Sequence, residues 1–590
     1  MGESTMSPVV RDSLKGTPPE HSPRRLAGAW AWYLARAPRL AATMATLLGV
    51  AILAEALLPH ERARLHRMVP VVPVPASPTA AAVIAVSGLL LLRVAGGLRR
   101  RKRRAWQAAV AVCLAMSLAH LLGDEAHPVE ATITLVLLAV LLSASSRFGA
   151  RSDPRTRWFA LVVFVQFAAV AIAYGLGLLY FSRRTIGYPS WSARVEEVLY
   201  GLIGVNGPVQ LRGDRFSDMF HFTLIAFSVT TMVVVGYLVL RPFEPVASLS
   251  AADEAQLRCL LATHGDRDSL GYFALRRDKS VVWSPSGKAA ITYRVVQGVA
   301  LASGDPLGDP EAWPGAMGVY RALVEEYAWT PGVIGCGELG ATVYRRELDL
   351  AALELGDEAI VEVDEFSLDG RAMRGVRQAC TRIERAGYTV QIRRIHELDP
   401  PEVAALAAAA AAWRGDAVER GFSMALSRLG DSADPDCVIA TAHQAGVLRG
   451  LLHFVPWGRD GLSLDLMRRD RAADNGLNEY LIVKTINAAP ALDVTRISLN
   501  FAVFRDALER GEKIGAGPAS RAWRAVLIFL SRFWQIESLY RFNVKFRPYW
   551  EPRYISYPTA HDIPRIALAA LEAEAFLTRP RFIKRLIRRA

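Results

Sequence analysis

Several apolar runs of about 18 residues or more, all within the first 245 positions, constrain this chain most strongly, because that length is what crossing a hydrocarbon core requires. Beyond them the pattern alternates as in a water-facing α/β protein. At 590 residues the chain is also too long for one core. It reads as a membrane protein carrying a large soluble part.

Six transmembrane helices are expected, at Leu40–Leu58, Thr79–Leu98, Ala105–Leu122, Val129–Ser146, Trp158–Phe181 and Met219–Leu240. Two basic hinges, Arg99 to Arg104 and Arg147 to Arg157, flank an acidic turn at 123–130, so the positive-inside rule puts both termini in the cytoplasm. The RRRKRR hinge then serves topology and attraction to anionic lipid. Residues 1–37 are expected to be a retained cytosolic basic tail, and the Ser182 to Asp218 loop has no assigned role. Glu55 and Arg93 interrupt the spans near their ends and read as interfacial, whereas His120 and His221, near the span boundaries, read equally as interfacial or as lining a path.

Charge is distributed as unevenly as hydropathy. Residues 1–245 carry 26 Lys+Arg against 14 Asp+Glu, whereas the remainder carries 44 against 43. Within that remainder, residues 541–590 hold 11 basic and 4 acidic side chains, a local excess that suits an anionic partner. Five scattered cysteines without a CxxC or Cys/His cluster point away from a disulfide framework or zinc site and towards a reducing compartment.

The soluble part begins after a linker, with Ser250 capping a helix three residues ahead of Asp253. Short strands from Leu270, a helix at Trp313–Tyr327 and a further strand form one α/β layer, assigned to 246–355. A second layer, 356–560, holds a helix from Gly370 to Ala386, an Ala-rich helix through Trp413, three strands ending in DGLSLDLMRR, a helix from Leu477 and a final strand RYISYP. Residues 561–590 read as a basic tail. Three antiparallel strands entering a helix, then strand, helix and strand, is the order of the GNAT acyltransferase fold, here in tandem.

Three stretches carry candidate chemistry. Arg371, Arg374, Arg377, Arg382 and Arg385 fall in one stripe of the Gly370–Ala386 helix and could track a phosphate backbone, or form a solvated face. In SLDLMRRDRAADNG, Ser463 to Gly476, Asp465 and Arg468 stand where a GNAT fold meets its acyl donor, and no Arg/Gln-x-x-Gly-x-Gly/Ala loop is present for coenzyme A. Arg541 to Tyr554, RFNVKFRPYWEPRY, interleaves cations with rings and prolines, as would a fixed wall against an anionic ligand or a proline-edged terminal strand. SGDPLGDP, Ser303 to Pro310, reads as a turn with acidic caps, and His453 as a core residue.

DLMR, Asp465 to Arg468, and KFRPYWEPRY, Lys545 to Tyr554, occur in the order seen in the phosphatidylglycerol lysyltransferase family, the multiple peptide resistance factors, which this chain resembles. The resemblance implies transfer of an aminoacyl group, lysyl or another, from aminoacyl-tRNA to a hydroxyl of phosphatidylglycerol at the cytoplasmic membrane face. Such a transfer lowers membrane negative charge and favours resistance to cationic antimicrobial peptides. It implies no cofactor, since an aminoacyl ester is already activated. Asp465, Arg468 and Lys545 are the expected catalytic residues, Glu537, Arg547, Trp550 and Arg553 the expected substrate-binding ones, and the five arginines of 371–385 the expected tRNA contacts. Partners would be aminoacyl-tRNA, phosphatidylglycerol and anionic lipid, with a homo-oligomer left open. A transporter or lipid-binding protein with a degenerate GNAT-like sensor, and a tRNA-dependent ligase acting on a peptidoglycan precursor, remain alternatives.

Overall fold

Small side chains set how the N-terminal helices pack. In the computed structural model, which describes residues 23–57, 92, 94–122, 128–150, 156–181, 184–202, 207–240, 243–503 and 536–577, the chain divides into two units. One is residues 1–150 with 157–240, the other residues 151–156 with 241–590.

The first unit contains α1 (Pro23–Leu57), α2 (Arg103–Leu122), α3 (Pro128–Ser143), α4 (Thr156–Phe181), α5 (Trp191–Leu202) and α6 (Asp214–Leu240). Ala37, Ala41 and Ala45 of α1 lie buried with Ala105 and Ala109 of α2 and Leu141 of α3, the close approach that alanine permits between apolar helices. Among the described residues two helices are long and apolar enough to cross a membrane, Trp158–Phe181 and Asp214–Val239. Of the other four expected spans, three coincide with α1, α2 and α3, and Thr79–Leu98 lies largely outside the described residues. The loop left without a role contains α5, which buries Glu197. Its Oε2 accepts the Val209 N–H at 2.9 Å and its Oε1 lies 3.3 Å from His221 Nε2 on α6, so His221 is a paired residue and not merely an interfacial one.

The second unit is built on one twelve-stranded sheet. Its strands are β1 (Ser280–Trp283), β2 (Ala289–Val296), β3 (Val299–Ser303), β4 (Leu307–Gly308), β5 (Thr330–Cys336), β6 (Ala351–Glu362), β7 (Tyr388–Arg394), β8 (Val438–Gln444), β9 (Val447–Trp457), β10 (Gly461–Arg469), β11 (Arg496–Val503) and β12 (Tyr549–Tyr557). They lie in the order β1-β2-β3-β5-β12-β6-β11-β10-β9-β8-β7, with β4 on β2. The two layers expected from the sequence are therefore two flanks of one sheet. A boundary at 355/356 would cut through β6.

Each flank repeats one theme: antiparallel strands lead to a parallel pair, β3 with β5 and β10 with β11, and the pair abuts the central antiparallel β6–β12 ribbon. Parallel pairing needs a crossover, supplied by α8 (Trp313–Tyr327) in the first flank and α12 (Leu477–Ala488) in the second, where α7 is Ala251–His264, α9 Glu338–Leu348, α10 Arg374–Arg385 and α11 Pro400–Arg414. The helix cap holds as expected, with the Asp253 N–H donating to Ser250 Oγ at 3.1 Å.

The central place of β12 corrects the edge-strand reading of the terminal stretch. Proline in a sheet interior leaves a missing donor. Here Pro552 sits in the half of β12 that pairs only with β6, since pairing to β5 begins at Tyr554 opposite Cys336. Among the described residues the strand is thus paired on one side at the proline and on both sides past it.

Packing of the second flank is apolar. α10 buries Val376, Ala379, Cys380 and Ile383, spaced i, i+3, i+4, i+7, against a core that includes Phe454, Leu477, Leu481 and Phe546. Each large aliphatic or aromatic side chain so buried contributes about 1.5–3 kcal/mol. The segment expected to be a tail from residue 561 begins instead with α14 (Ile563–Ala573), after α13 (Ile536–Asn543), and α14 buries Ile566, Ala569, Ala570 and Ala573 against β2, β3 and β5. The basic residues from Arg579 onward lie outside the described residues.

Candidate functional site

β10 and β11 are paired over only three residues, Gly461–Arg496, Leu462–Ile497 and Ser463–Ser498, and then part. Two irregularities drive them apart. On β10 the register against β9 shifts between Leu464 and Leu466, which leaves Asp465 as the bulged residue. On β11 the register against β6 shifts between Ser498 and Phe501, and Asn500 takes φ +70°, a conformation asparagine tolerates better than most side chains. Asn500 Nδ2 then spans the gap, donating to Leu464 O at 2.9 Å and Met424 O at 3.1 Å.

A cavity of about 500 Å³ opens at this splay, a size suited to a small-molecule moiety. Asp465, Arg468, Asn500, Glu419, Arg414 and Glu574 are its polar walls; Ala407, Ala410 and Ala411 on one face of α11 supply an apolar side. The Asp465 side chain is only 3% exposed. The Leu426 N–H donates to its Oδ1, and its Oδ2 lies 2.7 Å from Nδ1 of His453 on β9. Arg468 Nη2 donates to Glu419 Oε1 at 3.2 Å, and Glu419 Oε2 accepts from Arg414, so one carboxylate fixes two guanidiniums at the rim. Glu574, just past α14, accepts the N–H groups of Phe422 and Ser423 and the Ser423 hydroxyl, which shapes the 421–424 loop. Arg428, also in the wall, is held by Asp434 and Glu254. Burial pushes the Glu254 carboxyl up, but Arg258 and Arg428 outweigh it and hold the group below the usual carboxylate range.

The other expected site residues are placed elsewhere. Lys545 Nζ donates to Glu479 Oε1 of α12 at 2.8 Å, is 46% exposed, and is not among the described residues lining the cavity. The structure therefore brings Asp465 and Arg468 together but not Lys545. Arg547 is exposed with φ +50°, and Trp550 packs partly buried on the core beside Tyr540. The Glu537 side chain lies outside the described residues although its backbone is in α13.

Arg553 is the clearest correction to the expected ligand wall. It is buried, and donates from Nε to Glu358 Oε2 at 2.8 Å, from Nη1 to Asp268 Oδ1 at 2.8 Å and from Nη2 to Ser269 Oγ at 2.7 Å. Ser498, at the splay of β11, donates its hydroxyl to the same Glu358. Burial lowers the affinity of Arg553 for its proton, but Glu358 and Asp268 reverse that and raise its pKa. Asp305 of the SGDPLGDP loop joins this cluster through the Gly337 N–H at 2.8 Å, with its own N–H on Asp268 Oδ2 at 3.1 Å. Burial first, and the Asp268 charge second, push its carboxyl up to about 7 against the pull of Arg553. The loop read as an acidic turn is a brace within the first flank, tying the segment after β3 to Asp268 and to the start of α9.

All five arginines of the expected tRNA stripe are exposed, but Arg371 precedes α10, Arg377 donates to the carbonyls of Leu368 and Gly370, and Arg382 donates to Asn475 O at 2.5 Å. Two of the five therefore hold loops as well as face solvent.

Sequence reasoning assigned His453 to the core and gave no role to Asn500, Glu419 or Glu574. A signal for His453 existed. The hairpin turn at 458–460 sets Trp457 opposite Gly461, and counting back along the undisturbed register would set His453 opposite Asp465.

Comparison with known proteins adds to this geometry. The family model described as phosphatidylglycerol lysyltransferase, C-terminal, matches residues 258–557. The chain is 41% identical over 504 residues to the lysylphosphatidylglycerol biosynthesis bifunctional protein LysX of Rhodococcus opacus (strain B4), covering 84% of this chain and 45% of that protein. It is 42% identical over 505 residues to the protein of the same name from Mycolicibacterium vanbaalenii, covering 83% and 45%. The chain thus spans about half the length of the curated relatives it matches. The solved structure of L-PGS from Bacillus licheniformis aligns with a TM-score of 0.47 at 20% identity, over 56% of this chain and 99% of that one. With the match covering the whole twelve-stranded sheet, this chain belongs to the phosphatidylglycerol lysyltransferase C-terminal family.

Proposed function

We propose that this protein transfers an aminoacyl group, lysyl in the first instance, from aminoacyl-tRNA to a hydroxyl of phosphatidylglycerol in the cell membrane, from the cytoplasmic side. One observation carries the reading: in a chain of this family, the bulged Asp465 and the rim cation Arg468 share a cavity at the strand splay. The names of the LysX relatives point to lysine and to phosphatidylglycerol. Two helices able to cross a membrane support a membrane location, and the basic hinges support the further proposal of six spans with cytoplasmic termini.

An aminoacyl ester needs no further activation, so the protein's work is alignment, acceptance of the hydroxyl proton and stabilisation of the oxyanion. Asp465 faces the hydroxyl or the donor's ammonium. Arg468, once it exchanges Glu419 for a phosphate oxygen, holds lipid or tRNA phosphate. Lys545, paired with Glu479 and not among the described residues lining this cavity, is not assigned to the reacting set. Arg371, Arg374 and Arg385, with no backbone carbonyl to cap among the described contacts, are the stronger tRNA contacts of the stripe.

The test is expression of the full chain in cells lacking aminolipids, followed by lipid extraction and mass spectrometry. Aminoacylated phosphatidylglycerol is expected. Its absence from cells holding folded, membrane-inserted protein overturns the reading, and the mass of the adduct identifies the amino acid.

A further inference from the structure

We infer that His453 is the positioning residue that holds Asp465 as the proton acceptor of the transfer step. This rests on the reading above for the reaction itself, and on independent geometry for the residue. His453 and Asp465 are 1% and 3% exposed, on neighbouring strands, with Nδ1 and Oδ2 2.7 Å apart. Asp465 lines the cavity and His453 does not, so the carboxylate stands between the imidazole and the substrate space.

A buried carboxylate requires partners for both oxygens. The Leu426 N–H supplies one and His453 the other, which leaves the outward lone pairs of Asp465 free to face the cavity. A bulge makes this placement possible but also leaves the residue outside the regular ladder, where an unbraced side chain would have several rotamers. His453 Nε2 has no hydrogen-bond partner among the described residues. With Nδ1 facing a carboxylate and Nε2 facing none, the proton of a neutral imidazole belongs on Nδ1, donated to Asp465.

The step then balances without any further reagent. The lipid hydroxyl loses its proton to Asp465 as its oxygen bonds to the acyl carbon. The ester bond to the ribose oxygen breaks, and Asp465 returns the proton to that oxygen. His453 keeps its own proton throughout. Behind the pair lie the Cys437 thiol, with Tyr272, Asp434 and Arg258 beyond it, and on the cavity side the charged groups are Arg414, Glu419, Arg420, Arg428, Arg468 and Glu574. Burial raises both the thiol and the phenol, so neither competes for the proton at neutral pH.

The experiment compares wild type, His453→Asn and His453→Leu as full chains in membranes, with aminolipid formation measured against pH and lipid concentration. Asparagine can place an N–H where Nδ1 stood; leucine cannot. His453→Leu is expected to lower kcat by roughly 30- to 100-fold with KM for lipid within about twofold, and to move the acid limb of kcat to higher pH. His453→Asn should recover most of kcat and the wild-type limb. In an Asp465→Asn background, His453→Leu should cost almost nothing more. Equal activity and pH profile in all three proteins overturns the inference, as does an additive effect in the double variant. Thermal melting separates lost catalysis from lost fold, and a wild type that makes no aminolipid would sink the underlying reaction instead.

Discussion

The two flanks of the sheet share a topology and use it in opposite ways. In the first, β3 and β5 stay paired over five residues, Val299–Thr330 to Ser303–Ile334, and the cavity lined by Asp268 and Asp305, past the end of β3, holds only about 10 Å³. In the second, β10 and β11 part after three residues and leave about 500 Å³. What fills the crossover decides the outcome. Arg553, Asp268, Glu358 and Asp305 plug the first with ion pairs, whereas the bulge at Asp465 and the αL turn at Asn500 hold the second open. One flank carries the plug and the other the cavity.

That contrast can be broken at four places. Replacing the plug should have the largest effect: Arg553→Met leaves Glu358 and Asp268 buried without their cation, and about 3–5 kcal/mol of stability is expected to disappear in denaturant melts of the full chain. A variant as stable as wild type would show that the first flank does not depend on its plug. In the second flank, Asp465→Ala should lower aminolipid formation about 100-fold, equivalent to ~2.7 kcal/mol of barrier, while the melt changes far less. Loss of fold in parallel with activity would make Asp465 a strut too.

Asp305 sharpens the comparison through pH. Its folded pKa, about 7, lies above the unfolded value of about 3.9, so the folded state binds more protons between those values and stability falls as pH rises through them. The favourable contribution is complete below about pH 4 and gone above about 7. Asp305→Asn removes this dependence, so its melting temperature relative to wild type should climb from pH 5 to 8, by the equivalent of ~1–2 kcal/mol after allowance for solvent screening. A flat difference would mean that the brace titrates elsewhere. The smallest effect is expected at Lys545, whose half-exposed pair with Glu479 belongs to neither plug nor cavity: Lys545→Ala should change stability by less than about 0.5 kcal/mol and activity by less than threefold. Abolished aminolipid formation in that variant would restore Lys545 to the reacting set.

Local signals were legible wherever one residue's neighbours in sequence are also its neighbours in space. The Trp313–Tyr327 helix, the Ser250 cap and the buried face of α10 follow from periodicity and capping chemistry, which act within a few residues. Most of the order of strands and helices in the soluble part was readable on the same grounds, but the strand expected from Leu270 is a 3-10 helix at Gly271–Leu275, and α9 and α14 were not foreseen. The Arg541 to Tyr554 stretch misled because its meaning depends on partners hundreds of positions away. Its rings and cations look like a surface, yet Arg553 meets Asp268 and Ser269, and Pro552 finds the one part of an interior strand that tolerates it.

By itself the sequence determined that an apolar helical half precedes an α/β half, that the latter has two repeats, and that DLMR and KFRPYWEPRY mark its family. Only the tertiary structure decided that the repeats fuse into one sheet through β12, that Arg553 is a plug, and that His453 stands behind Asp465. The reason is physical. Helix and strand preferences are written in short-range sterics and periodicity, whereas the partner of a buried charge is fixed by which distant strands pair and in what register.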